Sequence, residues 1–154
     1  MALEDDIKQI KFRNEYNKVV VNLLYTHSWL SERMAQIFKP FGLTAPQYNV
    51  LRILRGQKSK PATINLIIER MLDRMSNASR IVDRLEVKNL VSRQQCPQDR
   101  RAVDVCITEK GLKILAKIDQ FMDQWETNLN VLNEVEAKEL NNLLDKLRSS
   151  SKNG

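Results

Sequence analysis

Ser76, Asn77, Ser79 and Arg80 fall within five residues, at what reads as the start of a helix. Short hydroxyl and amide groups beside a guanidinium suit the edge of a DNA major groove. Asn pairs there with adenine edges and Arg with guanine edges. Ser76 and Ser79 can instead hold phosphate oxygens, helped by the helix N-terminus. A plainer reading stays open, in which Ser76 only caps the helix and Arg80 is a solvated surface residue. Farther on, Arg100 and Arg101 close a turn-like run, Cys96-Pro97-Gln98-Asp99-Arg100-Arg101. Two guanidiniums at a hairpin tip suit the negative potential of a minor groove. The alternative is a solvated charged turn.

These groups need elements that hold them. Ser76 as cap predicts a helix over roughly 77–88, with Ile81, Val82 and Leu85 on its apolar side. Asn89 then serves as a left-handed terminator in place of Gly. Before it, Thr44 caps a short helix that stops near Gly56, and Thr63 caps another over Ile64–Met71. Leu72 to Met75 join that helix to the next without a Gly. After Asn89 the period shortens. Leu90–Gln95 and Val103–Ile107 read as two strands of a hairpin. Thr108 restarts helix, with apolar groups from Leu115 to Leu132 at steps of three and four, and a last helix spans about 134–148. At the N-terminal end, Tyr16, Val20, Leu23, His27, Leu30, Met34 and Ile37 form one stripe, so residues 7–39 read as a single long helix ended by Pro40 and Gly42. The order is a helix-turn-helix followed by a hairpin wing, between long helices. The fold class expected is mainly α with a small β-hairpin wing. A single chain of 1–154 would hold a DNA-binding lobe at 44–110 and dimerisation helices at 7–39 and 111–148. The apolar stripes of those helices exceed what a small central lobe covers, and a second copy is the simplest cover.

Composition bounds the class. The chain has 154 residues with 42% apolar, 29% charged and 6% aromatic side chains, the profile of one globular domain with a sizeable core. Four Gly and four Pro are too few for a collagen or a turn-dense sandwich. The net charge of +6 is unevenly placed. Residues 52–113 carry 14 basic and 7 acidic groups, net +7, while 1–51 are net +1 and 114–154 net −2. A basic middle between near-neutral ends suggests a polyanion partner. There is no apolar run of the roughly 20 residues that spans a bilayer, and MALEDDIKQI lacks the layout of a signal peptide. A cytoplasmic protein with no membrane partner is expected. Cys96 and Cys106 make no disulfide framework and, with His27 the only histidine, no zinc spacing. No cofactor and no metal is expected. With no G-x-S-x-G, P-loop or GxGxxG, an enzyme is not expected.

Five pieces in order resemble the MarR family of bacterial transcriptional regulators. They are Leu43-Thr44-Ala45-Pro46-Gln47-Tyr48-Asn49-Val50-Leu51, Ser76 through Glu86, Asn89-Leu90-Val91-Ser92-Arg93, Asp99-Arg100-Arg101-Ala102-Val103 and Ile107-Thr108-Glu109-Lys110-Gly111. The chain departs from the family at Asn89, where Gly is usual, and in the unusually apolar Ile64–Met71. The resemblance implies a homodimeric, ligand-responsive regulator, most often a repressor, on a pseudo-palindromic double-stranded DNA operator. It implies that Arg84 lies on the DNA-facing side, with an intramolecular ion pair of Asp83 and Arg84 as the competing reading. It also implies that Asp99 orients a neighbouring Arg of the wing and that Arg93 faces phosphate. By position, Tyr25, His27, Trp29, Tyr48 and Arg52 are candidates to line a pocket for a small amphipathic or phenolic effector. For His27, a partly buried place in the core or dimer is the plainer expectation.

Two other readings compete with this one. Positive neighbours can activate the Cys96 thiol for redox sensing, although the family's peroxide sensors carry their cysteine near the N-terminus. A winged helix can also serve as a protein-interaction module.

Overall fold

The computed structural model describes residues 2–58, 60–96 and 99–150, and within 95–102 only the backbone of two strands. Two compact units divide it, 1–118 and 119–154.

The first unit begins with α1 (Leu3–Ile7) and α2 (Glu15–Phe38). The single helix expected over 7–39 is therefore two. Lys8 turns into the left-handed region at φ 54°, and the Asn14 side chain accepts from the Asn17 N–H at 2.8 Å, capping a new start. That local cap competes with continued helix. Within the expected α2 stripe, Tyr16, Val20 and His27 stand exposed, while Leu23, Leu30, Met34 and Ile37 are half-buried.

After a 3₁₀ turn (Lys39–Phe41), α3 (Ala45–Gly56) starts on a capping box. Gln47 N–H donates to Thr44 Oγ1, and Gln47 Oε1 accepts from Thr44 N–H. Gln47 is 4% exposed. Its buried carbonyl is further satisfied by Lys88 Nζ at 3.2 Å, as an interior polar atom requires. The Phe38 and Tyr48 rings stack at 4.3 Å and join α2 to α3.

Thr63 caps α4 (Ile64–Arg70) through the Leu66 N–H. The Ala62–Thr63 pair just before it is β1, a strand that the hairpin pattern did not predict. It pairs antiparallel with β3 (Asp99–Ile107), which also pairs with β2 (Val91–Cys96), giving the order β1-β3-β2. The strands reach farther toward the tip than the expected turn at 96–101 allowed.

Between them lies α5 (Ala78–Val87), buried through Ala78, Val82 and Leu85. It ends as predicted at Asn89, whose φ is 60°. Asn89 N–H donates to Glu86 O and Leu90 N–H to Leu85 O, both bonds of a Schellman ending.

The motif Ile107-Thr108-Glu109-Lys110-Gly111 has a steric reason. Thr108 Oγ1 accepts from Gly111 N–H and donates to Asn89 O at 2.7 Å. This draws the start of α6 (Glu109–Thr127) onto the end of α5. A Cβ on Gly111 would lie 2.5 Å from Leu90 O, so only glycine fits. Leu115 and Ile118 of α6 complete the buried set of this unit.

The second unit holds the remainder of α6 and α7 (Glu134–Ser149), capped by an Asn133–Glu136 box. No residue of α7 is buried. Among the described residues, no helix is long and apolar enough to cross a membrane. No group of three His, Cys, Asp or Glu among them is placed to hold a metal ion.

Candidate nucleic-acid interface

At 100° per residue, the face of α5 opposite Ala78, Val82 and Leu85 carries Arg80 and Arg84, one turn apart. Both are exposed, as is Asn77 beside them. Ser79 and Asp83 form a separate pair on the flank. The outward side of α5 therefore carries Arg80 and Arg84, with exposed Val87 beside them and Asp83 toward the flank.

The start of α5 differs from expectation by one residue. Asn77, not Ser76, is the cap, and its Oδ1 accepts from Arg80 N–H at 3.1 Å. Ser76 lies one residue before the cap, and its hydroxyl donates to Asp73 Oδ2 at 2.9 Å. Asn77 Oδ1 is thus engaged in the helix start, and its amide NH₂ is the group left to face a base. Asp73 organises this turn without glycine. Its other oxygen accepts from Met75 N–H at 2.9 Å. The Met75 N–H first and the Ser76 hydroxyl second hold the Asp73 carboxyl below its ordinary range, with a smaller favourable contribution from His27. Asn49 of α3 pins the same turn by accepting from Leu72 N–H at 2.9 Å. The turn that leads into α5 is therefore fixed from both sides.

The flank of α5 is tied to the sheet. Arg93 Nη2 of β2 lies 2.7 Å from Asp83 Oδ1 and donates to Ser79 O at 3.3 Å. The ion pair weighed for Asp83 exists, but its partner is Arg93, ten residues on, rather than Arg84. A cleft of about 480 Å³ opens beside it, lined by Thr63, Ile64, Asn65, Ser79, Asp83 and Arg93 among others. The side chains of Asp99, Arg100, Arg101 and Cys96 lie outside the described residues.

The five expected pocket residues do not converge as one set. Tyr48 and Arg52 meet, Arg52 Nη1 donating to the Tyr48 hydroxyl at 3.4 Å, and Tyr48 is buried. Tyr25 and Trp29 share one side of α2, one turn apart, with Arg33 over the Trp29 ring at 5.0 Å. His27 sits about 160° around the helix from both. In the single chain it is exposed, outside the core. Arg93, expected to face phosphate, lies beside Ser79 and Asp83 of α5.

Three-helix lobe, exposed basic helix face and three-stranded wing define a winged helix-turn-helix protein. The family model described as MarR matches residues 43–103. A MarR transcription factor from Planctomyces limnophilus is 31% identical, with a TM-score of 0.66 over 88% of this chain and 98% of that one. The transcriptional regulator MgrA of Staphylococcus aureus is 29% identical over 112 residues, covering 73% of this chain and 74% of MgrA. BpsR of Bordetella bronchiseptica, a structure that concerns regulation of its DNA binding by 6-hydroxynicotinic acid, is 25% identical, with a TM-score of 0.66 over 83% of this chain and 98% of that one. The chain belongs to the MarR family of DNA-binding transcriptional regulators.

Proposed function

We propose that the chain is a cytoplasmic, ligand-responsive repressor that binds a pseudo-palindromic operator as a homodimer. The supporting observation is one chain that combines a basic recognition-helix face with an α7 that buries nothing. Leu140, Leu143 and Leu147 recur at steps of three and four on α7 and are 46%, 56% and 47% exposed. An amphipathic helix of this kind is stable when its apolar stripe is covered, and a second copy covers it symmetrically. Two α5 helices then enter successive major grooves, about one helical turn apart.

In this reading Asn77, Arg80 and Arg84 face the groove, and Ser76 and Ser79 stand at its edge. Asp99, Arg100 and Arg101 carry the wing to the minor groove. The effector is a small hydroxyaromatic or amphipathic compound that favours a dimer shape whose α5 spacing no longer fits the operator. BpsR supports an effector of that class. The exposed Tyr25–Trp29 side of α2 is its assigned place.

The test is selection of duplex fragments on the immobilised full-length protein, followed by titration of the winners with and without 6-hydroxynicotinic acid and related hydroxyaromatics. An inverted repeat bound by two chains, and released by one of these compounds, is expected. Binding as one chain per duplex would overturn the dimer, and affinity insensitive to the whole set would overturn the assigned effector class.

A further inference from the structure

Arg93 of β2 reaches the recognition helix. Its Nη2 makes both contacts, at 2.7 Å to the Asp83 carboxylate and at 3.3 Å to the Ser79 carbonyl. Ser79 and Asp83 are one turn apart, and this one nitrogen bridges the Ser79 carbonyl and the Asp83 carboxylate on the flank of α5. Its Nε is buried without a hydrogen-bond partner, so the head is held inward at the cost of one unsatisfied donor. On the strand side, Arg93 is paired with Val105 of the central β3. Asp83 is 59% exposed and Arg93 29%. A pair this accessible adds little to global stability, which leaves geometry as its role.

We infer that Arg93 is a positioning residue for DNA binding. Through Asp83 and Ser79 it fixes the rotation of α5 relative to the wing, rather than contacting phosphate itself. The inference rests on the family's DNA binding. The recognition helix and the wing address different grooves, so an error in their mutual angle spoils one contact or the other. Asp83 places a negative charge on the helix that approaches a polyanion. Its presence there makes sense if it holds Arg93.

The two roles predict opposite signs at Asp83. If Arg93 touches phosphate, Asp83→Ala removes a repulsive charge and tightens binding, and Arg93→Ala lowers the slope of log affinity against log salt by about 0.9. If Arg93 positions α5, Asp83→Ala weakens binding despite losing that charge. Arg93→Ala then weakens it to a similar extent, by roughly tenfold, and the double variant is no worse than either single. The salt slope stays at the wild-type value throughout.

The experiment titrates full-length wild type, both single variants, the double variant and Asp83→Glu against one selected duplex at several salt concentrations. Thermal melts of each protein run alongside. Asp83→Glu keeps the carboxylate, so recovery of most of the wild-type affinity with unchanged melting is expected, an outcome that general destabilisation does not produce. Should Arg93→Ala fail to fold, the sign of the effect of Asp83→Ala alone decides. Unchanged or tighter binding by Asp83→Ala overturns the inference. Absence of duplex binding by the wild type is a distinct result, which overturns the DNA-binding reading instead.

Discussion

Around α5 each apolar group on the inner face has cover: Ala78, Val82 and Leu85 are at most 3% exposed. In α7 the same three-and-four spacing leaves Leu140, Leu143 and Leu147 about half exposed. Both helices carry side-chain caps, Asn77 on one and the Asn133–Glu136 box on the other. The difference therefore lies in tertiary cover and not in helix propensity. One region spends its apolar groups on its own core, and the other keeps them for an outside surface. The basic excess of residues 52–113 belongs to the first and the net −2 of residues 114–154 to the second. The proposed function thus assigns contact with DNA and contact with a second copy to different parts of the chain.

The largest expected effect breaks the closed region. Leu85→Ala, at a fully buried site, costs about 2–5 kcal/mol by denaturant unfolding. Leu143→Ala on α7 costs much less in the same experiment at concentrations where the chain is monomeric. Next, Leu140→Asp combined with Leu143→Asp halves the mass measured by sedimentation while leaving the circular dichroism of the winged lobe in place. A dimer that survives this pair would locate the interface elsewhere.

Gly111→Ala pushes a Cβ to 2.5 Å from Leu90 O and 2.8 Å from Ile107 Cγ1. Its cost is about 1–3 kcal/mol of stability, read as a lower melting temperature. Arg80→Ala leaves the fold intact and loses about 1–3 kcal/mol on the preferred duplex, with relaxed preference at one base pair. A uniform loss across all duplexes would mark Arg80 as a phosphate contact.

The smallest effect concerns Asp73. Its carboxyl is held below the ordinary value of 3.8, so the turn it organises is fully supported above that pH. That support is lost as pH falls through the lowered value. Asp73→Ala removes this acid dependence of local stability at Leu72–Asn77, measurable by amide exchange as pH falls through 3.8 and below.

What was legible in the sequence was local. The Thr44, Thr63 and Thr108 caps and the Asn89 ending each depend on groups within a few residues, and composition alone exposes such signals. The start of α5 was read one residue early because Ser76 and Asn77 are both good caps. Asn77 takes the cap, its Oδ1 accepting from Arg80 N–H, while the Ser76 hydroxyl donates to Asp73. The break before α2 was signalled by Asn14, and the apolar stripe begins only beyond it, at Tyr16. Two other features were hidden by distance along the chain. β1 has only two residues, too few for a period, and exists because Ala62 and Thr63 meet Val105 and Asp104 some forty positions on. The Asp83–Arg93 pair needs the hairpin to fold back on α5, which no local pattern encodes. The exposed face of α5 was legible at Arg80 because helix phase follows from Val82 and Leu85. The expected pocket residues 25, 27 and 29 fall on two sides of α2, because the helix turns about 100° per residue.

The most direct test of the central claim is the salt dependence of full-length protein binding to a selected duplex, measured at a series of concentrations from about 50 to 200 mM, the range over which phosphate contacts weaken most visibly. Recognition through the basic α5 face predicts a linear fall of log affinity with log salt, and a steeper preference for the selected duplex than for a scrambled one. A slope near zero with no preference between the two duplexes would contradict it and make the winged lobe a surface for a protein partner.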